Sequence, residues 1–200
     1  MRRSIQVFFV VAAIAMSASA ATARADLLPG LLGGNCGVAV PVFAPWGDWS
    51  GYYFAPNGGF ESGSAGWSLS GGAAVVSGGE PWYLGGFGSH SLLVPKGGSA
   101  SINVCYGLTY PAVRFMVAGN GGPATVHVRV ISRGLLGVLS VLDGGTFTAG
   151  TSWAPSPKLS TLLSALGAPL STKSLQLQFT VDSGTANFDD LFVDPFLSKS

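Results

Sequence analysis

The stretch SLQLQFTVDSGTANFDDLFV, residues 174–193, contains the pattern that decides the fold. In its first half apolar side chains alternate with polar ones: Leu175, Leu177, Phe179 and Val181 against Gln176, Gln178 and Thr180. A period of two places the apolar set on one face of a β-strand. The second half, residues 186–193, is predicted to be another strand, although it carries the adjacent acids Asp189 and Asp190. The stretch therefore predicts two strands, each with a buried face.

Short strands separated by glycine-rich turns are predicted throughout the region from residue 57 onward. The other predicted strands cover residues 66–70, 73–77, 90–94, 100–107, 112–118, 125–131 and 135–142. The first two flank Gly71 and Gly72, which is a hairpin-like signal. Residues 156–167 differ, because their leucines have helical spacing, and we expect a short helix near 157–166. The pattern predicts an all-β, antiparallel β-sandwich with one short helix.

The N-terminal residues 1–25 have the three parts of a secretory signal peptide. Arg2 and Arg3 form a basic start, residues 5–16 are apolar, and Ala23-Arg24-Ala25 supplies a cleavage site. The alternative is an uncleaved membrane anchor, which the apolar run disfavours because a span needs about 18 residues. Residues 26–56 are rich in proline and aromatic residues, so we expect an extended segment packed on a β-sandwich domain of residues 57–200.

Charge argues against several classes of partner. The chain has ten Lys and Arg residues and nine Asp and Glu residues. Removal of the signal peptide would remove three arginines, and the net charge would be 7 − 9 = −2. No basic patch is present to hold phosphates, so nucleic acid is not an expected partner. No later apolar run is long enough to cross a membrane. With only 10% charged residues, the chain resembles exported proteins, and we expect it to be secreted or to reside in the cell envelope.

The sequence has two cysteines, Cys36 and Cys105. In an oxidising compartment they are expected to form a disulfide. Closing a loop of about 70 residues would stabilise the fold by about 4 kcal/mol in the chain-entropy model. A reactive thiol or a metal site is the alternative.

Two distant segments resemble a known fold family. These are NGGFESGSAGW (57–67) and NFDDLFVDP (187–195), and they are similar to motifs of galactose-binding-like jelly-roll β-sandwiches, which include many carbohydrate-binding modules. The resemblance implies a jelly roll whose first and last strands are neighbours, with Trp67 in the core. Residues 42–61 also resemble the opening of uncharacterised secreted actinobacterial proteins, which implies no activity.

The same resemblance implies a structural calcium ion held by Glu61 and Asp189. Mixed carboxylate and carbonyl oxygens suit Ca²⁺. The alternative is that both carboxylates accept hydrogen bonds from loop amides without a metal. Because adjacent strand residues face opposite ways, Asp189 and Asp190 can share a side only at a bulge.

Aromatic side chains in loops are the candidate ligand-binding residues. Trp82 and Tyr83 lie in a glycine-rich segment with Glu80 beside them, and Trp153 lies in another loop. Sugar rings stack on such aromatic faces, and loops often carry function. The alternative for Trp82 is a plug over one end of the sandwich.

Enzyme signatures are sparse: the sequence contains no G-x-S-x-G, H-E-x-x-H, P-loop or dinucleotide-binding motif. His90 and His127 are the only histidines. We therefore expect a non-catalytic protein that binds carbohydrate or cell-wall glycan and needs no cofactor beyond possible structural calcium. The alternative is a structural or protein-interaction domain of the envelope. A small hydrolase would require His90 or His127 beside an acid in a cleft.

Overall fold

A computed structural model of the chain describes residues 37–86, 88–105, 112–134, 139–160 and 172–194. The predicted signal peptide and Cys36 lie outside the described residues. Within them, twelve β-strands form two antiparallel sheets. This arrangement confirms the predicted all-β sandwich.

The first sheet contains seven of these strands. Its central path runs β10 (Leu159–Ser160), β6 (Ala112–Gly119), β12 (Thr185–Asp194), β4 (His90–Pro95) and β3 (Ala74–Ser77). Two short strands join this path: β1 (Tyr53–Phe54) pairs with β12, and β9 (Ala154–Pro155) pairs with β6. The strand of the two aspartates therefore lies in the middle of its sheet.

The second sheet contains five strands. Their order is β2 (Trp67–Ser70), β5 (Ser99–Val104), β11 (Thr172–Ser183), β7 (Ala124–Gly134) and β8 (Leu139–Ala149). The alternating residues of β11 face the core as predicted: Leu175, Leu177, Phe179 and Val181 are all buried.

The core lies between the two sheets and is built around aromatic side chains. Phe115 of β6 packs edge-to-face on Phe179 of β11, with ring centroids 4.8 Å apart. Trp67 is 9% exposed and belongs to this core, as predicted, and it lies 4.8 Å from Phe60. Aromatic pairs at such distances add about 0.5–1.5 kcal/mol beyond the burial of their area.

Two local predictions were wrong. Strands β2 and β3 do not form a hairpin, because β2 pairs with β5 in one sheet and β3 with β4 in the other. Gly71 and Gly72 connect the sheets, both with positive φ. A helix was predicted near 157–166, but the start of this segment contains the short strand β10, in which Leu159 pairs with Val113 of β6. Residues 161–171 lie outside the described residues.

A bulge in β12 changes which residues share a face. The pairing with β6 is shifted between Asp189 and Phe192, and Asp190 has a φ of 47°. A β-bulge inserts one unpaired residue and lets neighbours point to the same side. Phe188 therefore faces the inner core with Leu191, whereas Phe192 lies on the outer side. This corrects the simple alternation, which puts Phe188 and Phe192 on one face.

Residues 37–55, here called the N-terminal segment, lead into strand β1, and the part before β1 packs on the outer side of the seven-stranded sheet. Its Phe43 and Tyr52 pack with Met116 and Phe192 in a second hydrophobic cluster. Asp48 anchors the segment, because its Oδ2 accepts hydrogen bonds from Tyr52 Oη (2.7 Å) and Arg114 Nη1 (2.9 Å). In the described part of the chain no helix is long and apolar enough to span a membrane.

Candidate functional site

The candidate site is centred on residues 80–85, here called the aromatic loop. Its Trp82 and Tyr83 are 48% and 50% exposed. Tyr83 has a φ of 55°, a left-handed conformation that a bulky side chain rarely adopts. Such strain persists only where surrounding contacts fix the backbone. The neighbouring contacts therefore explain how the loop presents two large aromatic side chains to solvent.

Glu80 holds the loop from within. It is 2% exposed, and its carboxylate accepts hydrogen bonds from the backbone N–H groups of Trp82 (2.6 Å) and Leu84 (2.7 Å). Glu80 is one of the ligand-binding residues predicted from the sequence. Its burial and its two amide bonds give it a positioning role beneath the aromatic side chains.

Asp189 and Asp190 hold the two ends of the same loop. Asp189 Oδ2 accepts the Glu80 N–H (2.8 Å), and Asp190 Oδ2 accepts the Gly85 N–H (2.7 Å). Both aspartates are at most 5% exposed. The bulge in β12 makes this possible, because it directs both carboxylates toward the aromatic loop. Three buried carboxylates thus fix four amides of residues 80–85.

Burial also changes the acidity of these groups. It raises the pKa of Asp189 from 3.8 to about 7, and the nearby charge of Glu80 adds to that rise. Hydrogen bonds from the Glu80 and Asp190 amides act in the opposite direction. Burial raises the pKa of Asp190 as well, and the charge of Asp189 contributes. The cluster therefore favours the neutral form of at least one carboxyl group near neutral pH.

The N-terminal segment supplies a further aromatic residue that sequence analysis did not single out. Trp46 packs edge-to-face on Trp82, with centroids 5.3 Å apart and ring planes at 86°. Trp46 is the last residue of a 3₁₀ helix, Ala44–Trp46, in that segment. Its signal in the sequence is the unusual density of aromatics among residues 43–54.

Trp153 is placed differently from the other candidate residues. It is partly buried against the second hydrophobic cluster, which also contacts Trp46 and Leu84. Trp153 therefore supports the N-terminal segment and the base of the aromatic loop, and less of it is open to a ligand than of Trp82.

Glu61 and Asp189, the predicted calcium ligands, both bind backbone amides. Glu61 Oε1 accepts the N–H groups of Ser89 (2.7 Å) and His90 (2.8 Å). Although slight burial opposes it, these bonds and the His90 side chain hold the pKa of Glu61 below its usual value. Each Asp189 oxygen also accepts an amide. Among the described residues no three acidic, His or Cys side chains form a group that could hold a metal. The donor set fits the alternative of amide bonding, and calcium stays a prediction.

The two histidines each lie beside an acid. His127 Nε2 is 3.0 Å from Asp143 Oδ1 on the exposed face of the five-stranded sheet. His90 Nδ1 is 3.2 Å from both Glu61 Oε2 and Ser89 Oγ. A catalytic triad places the serine and the acid on opposite ring nitrogens. Here both contact the same nitrogen, so this group does not have triad geometry.

No family model matches the sequence, and no curated protein is similar to it. Solved structures do share its architecture. The CBM22-1 xylan-binding domain of Paenibacillus barcinonensis Xyn10C is 17% identical, with a TM-score of 0.52 over 72% of this chain and 94% of that one. The chain has the β-sandwich fold of carbohydrate-binding modules.

Two further structures have the same fold. The C-terminal family 22 carbohydrate-binding module of Clostridium thermocellum Xyn10B is 15% identical, with a TM-score of 0.50 over 74% of this chain and 96% of that one. The CBM22-1–GH10 modules of the same organism's xylanase 10B, complexed with xylohexaose, are 16% identical with a TM-score of 0.55. That match covers 74% of this chain and 29% of the other, which is a longer protein. At these identities the likeness shows the fold alone.

Proposed function

We propose that this protein is a secreted, non-catalytic β-sandwich that binds carbohydrate or cell-wall glycan through the aromatic loop. The observation that carries the proposal is the pair Trp82 and Tyr83, half exposed on a backbone that buried carboxylates fix. Exposed apolar side chains that lie together mark candidate interaction surfaces. A loop already held in its binding conformation loses little entropy on binding. Flat apolar faces next to polar groups suit the rings of neutral sugars.

The fold supports the proposal without deciding it, because one fold hosts many functions. The solved structures described above include modules named as xylan-binding. The predicted signal peptide, the low charge and the predicted disulfide are consistent with an extracellular protein. Absence of triad geometry around His90 supports a non-catalytic role.

A glycan pull-down with immobilised β-1,4-linked polysaccharides tests the proposal. We expect the wild type to bind xylan or galactan, and Trp82→Ala to bind about 10-fold or more weakly, since central aromatic residues contribute about 2 kcal/mol or more to interfaces. Val141→Ala is the control, because Val141 is 52% exposed on the other sheet. Retained binding by Trp82→Ala would contradict the proposed surface.

Failure of the wild type to bind any polysaccharide would favour the alternative of a structural or protein-interaction domain in the cell envelope. Trp82→Phe separates stacking from folding, because it keeps an aromatic face on the loop. We expect Trp82→Phe to retain more binding than Trp82→Ala at equal thermal stability.

A further inference from the structure

A surface cavity lies directly beside the aromatic loop. It has a volume of about 180 Å³, and its lining includes Phe54, Asn57, Glu61, Ser62, Gly85 and Asp190. Drug-sized ligands occupy pockets of about 300–1,000 Å³. The cavity is therefore the size for one small unit, such as a single ring of a larger molecule.

The lining combines an aromatic face with hydrogen-bonding groups. Phe54 is 37% exposed, and its ring packs on Phe192 with centroids 5.1 Å apart, so its position is fixed. The carboxylate of Glu61 and the hydroxyl of Ser62 are on exposed residues at the rim. Glu61 Oε1 accepts its two amides, and Oε2 lies 3.2 Å from His90 Nδ1 and 3.4 Å from Ser89 Oγ, so a sugar hydroxyl would bind Oε2 in exchange for one of these side-chain contacts. An apolar ring face flanked by acceptors is suited to a sugar ring with its hydroxyl groups.

Glycines line one wall of the cavity. At Gly59 a Cβ atom would lie 2.9 Å from Asp190 Oδ1 and 3.3 Å from the Phe54 ring. At Gly85 a Cβ atom would clash with the same two side chains. The backbone at both positions therefore packs directly against Asp190 and Phe54, and a larger residue at either position would displace these side chains.

The charge of the lining selects among sugars. Among the described residues that line the cavity, two are acids and none is Lys or Arg. Hydrogen bonds hold the pKa of Glu61 below its usual value, so a carboxylate or sulfate on a ligand would meet the negative charge of Glu61 there. The cavity therefore disfavours uronic acids and sulfated sugars.

The cavity and the exposed aromatic pair are close along the chain, because Gly85 of the aromatic loop lines the cavity. Gly85 follows Tyr83 by two residues, so their Cα atoms are at most about 7.6 Å apart. Asp190 holds the end of the aromatic loop beside the cavity, because its carboxyl group accepts the Gly85 amide and also lines the cavity. The separation of Tyr83 and Gly85 is of the size of one or two sugar units, so neighbouring units of one glycan suffice to reach both places.

We infer that this cavity is a second subsite, which takes one uncharged sugar unit of a glycan whose neighbouring unit stacks on Trp82 or Tyr83. The inference rests on the proposed function. It adds Phe54, Glu61 and Ser62 to the glycan-binding surface around the aromatic loop, and it restricts the ligand to uncharged sugars.

An array of β-1,4-linked hexamers of xylose, galactose and glucose, with the C6-oxidised uronic forms of the last two, tests the subsite. Ser62→Leu places a bulky side chain in the cavity, and Ser64→Leu is the matched control on an exposed residue of the same turn that does not line it. We expect Ser62→Leu to bind the neutral hexamers about 10-fold more weakly than wild type, and Ser64→Leu to bind within about 2-fold. Phe54→Leu keeps an apolar contact but loses the ring face, and should also weaken binding.

The outcomes separate the two proposals. If Trp82→Ala loses binding while Ser62→Leu and Phe54→Leu bind like wild type, the subsite is wrong and the proposed function stands. If uronic hexamers bind as well as neutral ones, the restriction to uncharged sugars is wrong. If wild type binds none of the hexamers, the proposed function itself fails.

Discussion

Asp189 and Asp190 show how a single irregular residue determines the chemistry of a surface. In a regular strand one of them would face the core, where a carboxylate is costly to bury. Because Asp190 has a positive φ at the bulge, both acids face the aromatic loop and bind its amides. Hydrogen bonds from the loop amides offset only part of the cost of burying them, because the pKa of both carboxyl groups stays raised.

The raised pKa of Asp189 predicts a pH dependence of stability. Its folded value of about 7 exceeds its ordinary value of 3.8, so its contribution to stability is full below about pH 4 and is lost as the pH rises through about 7. We expect the urea concentration at the unfolding midpoint to decrease as the pH rises from 4.5 to 7.5. In Asp189→Asn we expect this decrease with pH to be smaller.

The same measurement tests the calcium prediction. Calcium bound to ionised Asp189 and Glu61 would stabilise the folded state, so EDTA would lower the unfolding midpoint at pH 7.5. An unchanged midpoint with EDTA would rule calcium out. If the urea midpoint changes equally with pH in wild type and Asp189→Asn, the proposed role of the Asp189 carboxyl group is contradicted.

At the scale of elements, the aromatic loop depends on Glu80 for its shape. Glu80→Ala leaves the amides of Trp82 and Leu84 without their acceptor, and we expect a loss of about 1–3 kcal/mol in the free energy of unfolding. Glycan binding should weaken as well, because the loop would no longer hold Trp82 and Tyr83 in place. Asp182→Ala, at an exposed acid of β11, is the control and should change stability by less than about 0.5 kcal/mol. Binding and stability equal to wild type in Glu80→Ala would contradict this role.

The N-terminal segment depends on Asp48 in the same way. Burial raises its pKa, but hydrogen bonds from Tyr52, Ser50 and Arg114 outweigh that effect and lower it to about 2. This contribution to stability is present above about pH 4 and is lost as the pH falls through 2. Asp48→Asn should therefore unfold at lower urea than wild type at pH 7, with a smaller difference at pH 2.5. Urea denaturation monitored by tryptophan fluorescence measures the difference in midpoint between the two proteins. Equal midpoints at pH 7 would contradict the anchoring role of Asp48.

Strand faces could be predicted from the sequence, whereas strand partners could not. The inward residues of β6, β7 and β11 follow directly from a period of two, because each strand has one face on the core. The partners of β2 and β3 depend on distant segments, so Gly71-Gly72 looked like a hairpin turn. At Leu159 the leucine spacing was compatible with a helix, and pairing with β6 determined the outcome.

For the molecule as a whole, the candidate site is assembled from three distant parts of the chain: the N-terminal segment, the aromatic loop and the bulge of β12. Trp82 and Tyr83 could be predicted because aromatic residues in a glycine-rich loop have little reason to be buried together. The contact of Trp46 with Trp82 and the amide bonds of Asp190 could not, since both depend on how the N-terminal segment and the bulge of β12 pack in three dimensions.

The predicted disulfide also belongs to this scale. Cys36 lies outside the described residues, so its pairing with Cys105 stays a prediction. If the predicted signal peptide is removed and the disulfide forms, mass spectrometry under non-reducing conditions should give the mass of a chain that starts at Asp26, about 2 Da below that of the reduced chain. Reduction should lower the free energy of unfolding by about 4 kcal/mol in the chain-entropy model. Two free thiols would contradict the prediction.

The position of the last two strands has a consequence for the order of events during synthesis. Strand β11 joins β5 to β7, and β12 joins β4 to β6, so neither sheet is continuous until the final segment of the chain is available. Topologies dominated by such non-local pairing fold slowly. A chain emerging from the ribosome would thus complete neither sheet until residues 172–194 are available, and the earlier strands would wait for their central partners.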